Sequence, residues 1–568
     1  MIAARRVYFY LVAFVSLHVA AWGAAELGRA VVDALYPSGG TIATGLRQDV
    51  ARDGALLVVG LPLWLLHWGL ANRASRRDET ERGATLRRLY VYAVLATMVI
   101  AFAAAAQNAL EAALGALLDE RPTSAPSVGR QIAAQVPWLA VAGVLWVYHQ
   151  RVVVADRLAV GEVGGSATLR RWYVYGVSFV ALLYLLSNAA KIARLTWETV
   201  ARAATGGLVS GGPVGVAGAA ATALVAVGVW LAHWSLRAVG PEREEIAVQD
   251  VRSALRPVYL FGGLAGAVAF TLAGLSQLLY YALGRALGVE RPGGVGGNLL
   301  VAAAGPATTA LVYGAAWLYQ RRAVRRQSEA QAELPGQVGV RRLYVYLVSL
   351  LAIGVVATGA GGLLWTIADL ATAAPRTVSS RDWWREQVSL YATLLAVGVP
   401  VWALNWGPVA ARTEEVGSLA RRIYLYVTLG AAVLALLGAG VAAVREILLL
   451  ALGETATASA ITDLARALSV AAVSGVVIAY HQRVLRRDLG VAHALVAAPE
   501  PAVAVAETAP PFEGRPYAVV YATAGGEQRV EWWATREEAR AAEERLRDGA
   551  AWAVTVRVDG TDPSLRSG

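Results

Sequence analysis

Five times along this sequence two adjacent arginines are followed by a spaced pair of aromatics, and each time the motif heads an apolar run of about 20 residues. The copies are Arg5-Arg6-Val7-Tyr8-Phe9-Tyr10, Arg87-Arg88-Leu89-Tyr90-Val91-Tyr92, Arg170-Arg171-Trp172-Tyr173-Val174-Tyr175, Arg341-Arg342-Leu343-Tyr344-Val345-Tyr346 and Arg421-Arg422-Ile423-Tyr424-Leu425-Tyr426. A degenerate sixth, Arg256-Pro257-Val258-Tyr259-Leu260-Phe261, fills the one gap, so the motif recurs every 80 to 86 residues. Each copy is followed by a connection and then a second apolar stretch. In lipid every backbone N–H and C=O must be satisfied within the segment, which leaves the helix as the form such a run takes.

The spacing places spans near 7–27, 54–70, 89–107, 131–149, 172–190, 214–234, 258–279, 299–319, 343–367, 388–406, 423–443 and 465–481. Several second helices are short or rich in Gly, which leaves room for a re-entrant or kinked one. Composition agrees: 57% of the 568 residues are hydrophobic and 16% charged, where a soluble domain carries about 25% charged residues. A single large soluble enzyme is excluded on that ground. The absence of Cys excludes disulfides and thiolate metal sites. Arg5 and Arg6 precede a run too long for a signal-peptide core, so it reads as a retained first helix.

The second helices carry an alternating signature. Copies one, three and five end in Trp64-Leu65-Leu66-His67-Trp68, Trp230-Leu231-Ala232-His233-Trp234 and Trp402-Ala403-Leu404-Asn405-Trp406. Copies two, four and six end in Trp146-Val147-Tyr148-His149-Gln150, Trp317-Leu318-Tyr319-Gln320-Arg321 and Ile478-Ala479-Tyr480-His481-Gln482. The repeating unit is therefore a four-helix module of two hairpins: residues 1–165, 166–335 and 336–490. Because each hairpin holds two helices, all copies share one orientation, as parallel repeats, and a pseudo-threefold arrangement of modules is the expected geometry.

Arginines crowd the segments between hairpins, for example Arg73, Arg76, Arg77, Arg82, Arg87 and Arg88, and Arg321, Arg322, Arg325 and Arg326. The net charge of +10 is thus an orientation signal, not a nucleic-acid surface. It puts the motif ends and both termini in the cytoplasm of a bacterial inner membrane. The opposite connections, such as Glu26 to Asp53 and Ala371 to Gln387, are expected to run 20 to 30 residues and to carry short interfacial helices.

After Asp488 the composition changes. An Ala/Pro-rich linker over 491–513 leads to a soluble α+β domain over 514–560 and a tail over 561–568. Strands are expected over Tyr517–Tyr521, Arg529–Trp533 and Trp552–Val558, with a helix opened by a capping box of Thr535 and Glu538, in ββαβ order. It reads as a module for a cytoplasmic protein partner or as a passive appendage.

Two sets of polar residues are candidate sites. His67, His149, His233, Gln320, Asn405 and His481 share one repeat position and form a polar girdle at the inner end. Such a ring can relay protons or hold a haem between paired histidines. Exchange for Gln and Asn keeps hydrogen bonding and abolishes titration, which favours a structural girdle and no cofactor. The second set is His18, mid-span, with Glu26, Asn108, Lys191 and Gln277 at the outer ends of first helices. Glu26 and Lys191, the sole lysine, stand at equivalent positions and are candidates to pair or to line a solute vestibule. Clusters such as Gly262, Gly263 and Gly266, or Gly359, Gly361 and Gly362, or Gly438 and Gly440, read as sites of close helix approach. No phosphate loop, zinc motif or nucleophile elbow occurs, so no enzyme activity is expected.

The Arg-Arg-x-Tyr-x-Tyr opening with its Gly/Ala-rich span resembles a bacterial membrane family of unknown function, domain of unknown function 5671. The resemblance rests on Arg87 to Tyr92, Arg170 to Tyr175, Arg341 to Tyr346 and Arg421 to Tyr426, and covers roughly residues 1–490. It implies a polytopic protein and carries over no activity and no site residues. Two functions suit the residues: a transport or channel-like protein with a solute path between modules, or a non-enzymatic scaffold or sensor that presents the tail.

Overall fold

The computed structural model describes residues 2–36, 42–120, 126–162, 164–206, 215–236, 253, 255–294, 298–330, 335–372, 383–452, 458–497, 517–523, 528–547 and 550–557. They divide into two compact units, Met1–Ala411 with Ser418–His481, and Arg412–Gly417 with Gln482–Gly568. Among the described residues, twelve helical segments are long and apolar enough to cross a membrane. In chain order the helices are α1 (Ile2–Leu35), α2 (Ile42–Arg77), α3 (Thr85–Leu117), α4 (Val136–Val160), α5 (Gly165–Ala204) and α6 (Val216–Trp230). Then follow α7 (Leu255–Ala286), α8 (Ala304–Ala330), α9 (Pro335–Ala371), α10 (Trp383–Ala410), α11 (Leu419–Ala451) and α12 (Ala458–Ala497).

Each helix overlaps one expected span, but most run longer. The 34 residues of α1 extend about 50 Å at 1.5 Å per residue, well beyond about 30 Å of hydrocarbon. The connection expected from Glu26 to Asp53 is mostly consumed by helix, since α1 ends at Leu35 and α2 begins at Ile42. The connection from Ala371 to Gln387 lies largely outside the described residues. A short helix, Val128–Ala133, does precede α4, capped by the Ser127 side chain on the Arg130 N–H. Pro62 and Pro400 lie inside α2 and α10, whereas Pro137 sits in the first turn of α4, where its missing N–H costs nothing.

Local chemistry sets several helix starts. Ser418 accepts the Arg421 N–H at α11. At α6 a side chain from another helix pair does the same work: the Glu120 carboxylate accepts the N–H groups of Gly215 (3.0 Å), Val216 (3.1 Å) and Ala217 (3.2 Å). Gly215 makes this possible at φ +90°, in the left-handed region. Between α2 and α3, Asp78 caps a short helix at Glu79–Arg82, and bonds from the Thr80 hydroxyl and then the Thr80 N–H hold its carboxyl below the usual range.

Packing follows one rule. From α1 to α10 consecutive helices pair as hairpins, and from the second hairpin to the fifth the second helix also lies against the first helix of the hairpin before it: α4 on α1, α6 on α3, α8 on α5 and α10 on α7. First helices touch in chain order, α1 on α3, α3 on α5, α5 on α7, α7 on α9 and α9 on α11. Among the described residues no packing of comparable extent joins α1 or α2 to α11. The expected threefold arrangement is therefore replaced by a row. A second helix that fills the groove between two successive first helices propagates in one direction, as stacked repeats do. The core runs along this row through Leu17, Val91, Leu95, Ala142, Tyr173 and Leu260. Gly60 lets α2 approach α1: a Cβ there would stand 2.8 Å from the Ala20 nitrogen. By contrast, Gly438 and Gly440 meet nothing within 4 Å, so they are not packing sites as expected.

In the second unit, β1 (Tyr517–Thr523) pairs antiparallel with β2 (Gln528–Trp533) on one side and β3 (Ala550–Arg557) on the other. Helix α13 (Arg536–Arg547) packs Ala539 and Ala542 on Val519. The Thr535–Glu538 capping box forms with both bonds at 3.2 Å.

Candidate functional site

The girdle residues gather at one end of the row, here termed the motif end because the Arg-Arg motifs lie there. His149 and His481 are 0% exposed, Gln320 1% and His233 2%. In each histidine Nδ1 lies 2.8 Å from the carbonyl four residues earlier: Leu63, Leu145, Val229 and Val477. A carbonyl only accepts, so Nδ1 carries the proton. Each Nε2 faces the first tyrosine of its own hairpin's motif: His67–Tyr8 (3.4 Å), His149–Tyr90 (3.4 Å), His233–Tyr173 (2.9 Å) and His481–Tyr424 (3.0 Å).

Three of these tyrosines, and Tyr259 of the fourth motif, join one hairpin to the one before it. Trp64, Trp146, Trp230 and Trp402 donate their indole N–H to Tyr90, Tyr173, Tyr259 and Tyr424 at 3.0–3.1 Å. The proton order is then Trp N–H to Tyr oxygen, Tyr O–H to His Nε2, His Nδ1–H to carbonyl, with every donor matched. Asn405 keeps the last bond alone, Nδ2 to the Val401 oxygen at 2.8 Å. This use of Nε2 leaves the paired-histidine haem reading without a free ligand atom at His149, His233 and His481. Replacing Tyr173 by Phe removes both bonds, a cost of about 1–3 kcal/mol, readable as a lower unfolding midpoint. Tyr8→Phe, at an exposed and longer contact, is expected to leave it unchanged.

A second tryptophan reinforces every other joint. Trp68, Trp234 and Trp406 donate to Tyr148, Tyr319 and Tyr480 at 2.7, 2.9 and 2.8 Å. Their rings lie 4.7, 4.5 and 4.4 Å from Tyr90, Tyr259 and Tyr424. Arg87, Arg256 and Arg421 cover them at 4.9, 5.8 and 5.6 Å. The motif arginines are thus not all solvated orientation signals. Arg87, Arg88 and Arg421 are 1–2% exposed. Arg87 binds Asp156 at 2.7 Å and Asn72 at 2.8 Å, and Arg421 donates to the carbonyls of Val409 and Ala410.

The other set disperses. His18 bonds the Phe14 carbonyl (2.7 Å) and Thr97 (2.8 Å), tying α1 to α3. Glu26 accepts from Trp138 (2.9 Å) and Arg29 (3.2 Å), not from Lys191, because α1 and α5 are two steps apart in the row. Gln277 donates to Tyr281 on its own helix. Asn108 lines a cavity of 510 Å³ at the connection end with Asp33, Glu111, Glu120 and Arg130.

A larger cavity, 760 Å³, opens among α9, α10, α11 and α12. Asp369 and Arg466 are its charged residues, and Trp365, Trp383 and Tyr391 are its aromatic ones. Arg466 binds Asp369 in a two-point pair at 2.6 and 3.0 Å and lies 5.3 Å from the Trp365 ring. Gly362 lets Tyr391 lie against α9, since a Cβ there would stand 2.2 Å from the ring. No group of three or more metal-ligating side chains occurs among the described residues.

The family model described as "Domain of unknown function (DUF5671)" matches residues 6–128, 171–315 and 342–476. The chain belongs to this family. No curated protein and no solved structure matches it. The three stretches of this DUF5671 chain each open within a motif, at Arg6, Arg171 and Arg342, and the third takes in the residues of the 760 Å³ cavity.

Arg466 and the cavity itself escaped the sequence reading. One signal was present: Asp33, Glu198 and Asp369 each stand 28 residues after the first arginine of their motif. Asp33 binds Arg130 at 2.9 Å, as Asp369 binds Arg466, while Glu198 pairs with Arg194 and Arg202 of its own helix. Asp156, which holds Arg87, and Glu162, which accepts from Tyr92, were missed because these partners lie about 70 residues away along the chain.

Proposed function

We propose that this is an integral, multi-pass membrane protein of the transport type, and that the cavity among α9 to α12 is its solute site. The supporting observation is the contrast between the two ends. At the motif end Trp, Tyr and His side chains are joined by hydrogen bonds into a lattice, which suits a closed, rigid floor. Towards the connection end a 760 Å³ space retains a charged pair and aromatic walls, within the range of about 300–1,000 Å³ typical of small-molecule sites. The concentration of arginine at the motif end supports placing that end and both termini in the cytoplasm. Three family matches, and three Trp–Tyr–Arg joints of like geometry, support three parallel four-helix modules. The cavity then opens outward. The tail, with its small core, is an appendage on the cytoplasmic side.

The chain has no Cys, so a single introduced thiol reports without background. Gly361→Cys faces open space in the cavity, and Ser349→Cys is a buried control at 0% exposure. A membrane-impermeant thiol reagent is expected to label position 361 from outside intact cells and to leave 349 unlabelled. Labelling of 361 in inverted vesicles as well is the signature of alternating access. Failure to label 361 from outside would sink the outward cavity.

A further inference from the structure

We propose that the cavity takes a small organic carboxylate with a flat apolar body, an assignment that rests on the solute site just described. Arg466 and Asp369 are the two charged residues of its lining, and they are not equally available. The Asp369 side chain is 2% exposed and both its oxygens are held by Nε and Nη2 of Arg466, whereas Arg466 is 29% exposed. Asp369 is therefore the positioning residue and the guanidinium is the group presented. Its plane is fixed from one side by the carboxylate and from another by the Trp365 ring. Nη1 meets only a partly exposed acid, Asp463, at 3.2 Å and one helical turn away. Such a surface pair contributes little, so an incoming carboxylate replaces it at low cost. Beyond the guanidinium, Trp365, Trp383 and Tyr391 offer flat apolar surface, continued by Val470 and Val473. An organic cation would meet the guanidinium instead of a carboxylate, because Asp369 lies behind it.

The test uses the full chain in detergent micelles, with benzoate, neutral benzamide and cationic benzamidinium as probes in equilibrium dialysis. Benzoate is expected to bind saturably, at least about tenfold more tightly than the other two. Arg466→Gln is expected to weaken benzoate by about tenfold or more while leaving benzamide unchanged. Gly361→Leu fills the cavity from a position that meets nothing within 4 Å, so it tests the site even if Arg466→Gln folds poorly; it is expected to abolish benzoate binding. Three results overturn the assignment: no saturable benzoate binding up to on the order of 10 mM, tighter binding of benzamidinium, or benzoate binding that survives Gly361→Leu. If benzamide or benzamidinium binds saturably and Gly361→Leu blocks it, the solute site stands and the carboxylate alone is wrong.

Discussion

Trp406→Ala is expected to lower the stability of the membrane unit by about 3–5 kcal/mol, the range for truncating a buried large aromatic. The side chain is 1% exposed, so truncation opens a cavity that the surrounding helices cannot readily close. Three contacts go with it. Its ring lies 4.4 Å from Tyr424, its N–H donates to Tyr480 at 2.8 Å, and the Arg421 guanidinium lies 5.6 Å from its ring. These partners belong to α11 and α12, so the loss falls on the joint between two hairpins. Trp406→Phe keeps a ring and loses the N–H, with an expected cost nearer 1 kcal/mol plus a smaller void. Thermal unfolding of both variants in mild detergent checks the ordering. If Trp406→Ala cost less than Trp406→Phe, the tryptophan would not be what holds the hairpins together.

The second large effect concerns Arg87 and Asp156. Both side chains are 2–4% exposed, and the guanidinium also reaches Asn72 and the face of Trp68. Arg87→Met leaves the Asp156 carboxylate buried with only Arg82, which is 29% exposed, at 3.1 Å. Breaking one partner of such a pair is expected to cost about 3–5 kcal/mol. Adding Asp156→Leu removes the stranded charge, and the double variant is expected to recover most of the loss. The check is a double-mutant cycle on unfolding midpoints. A double variant no more stable than Arg87→Met would show that the arginine matters for packing alone.

Both predictions explain why part of this protein was readable and part was not. The Trp at the end of each second helix and the Tyr of each motif were visible as repeated letters. Their bond was not, because Trp64 and Tyr90 belong to different hairpins and nothing in the spacing says which hairpin lies beside which. The histidine girdle was legible as a register of one repeat position; the Tyr partner of Nε2 needed coordinates. The arginines were misread in part. An Arg-Arg pair beside an apolar run is a sound orientation signal, but Asp156 and Glu162 return from 69 and 70 residues away to bury Arg87 and Tyr92's end of the motif. The Glu26–Lys191 pairing failed for the same reason: equivalent positions in a repeat are neighbours only if the repeats are.

What the sequence by itself determined is therefore periodic. Helix number, the two-helix hairpin, the alternation of second-helix signatures and the capping box of the tail all depend on residues within a few turns of one another, where spacing and hydrophobicity act directly. Only the tertiary structure decided the row in place of a threefold arrangement, the burial of the arginines, and the cavity with Arg466 held by Asp369. Those depend on which helix fills the groove between which neighbours, and that is a contest among near-equal apolar surfaces. It is settled by a few long-range contacts: an indole on a phenol, a glycine under a tyrosine ring, a carboxylate behind a guanidinium.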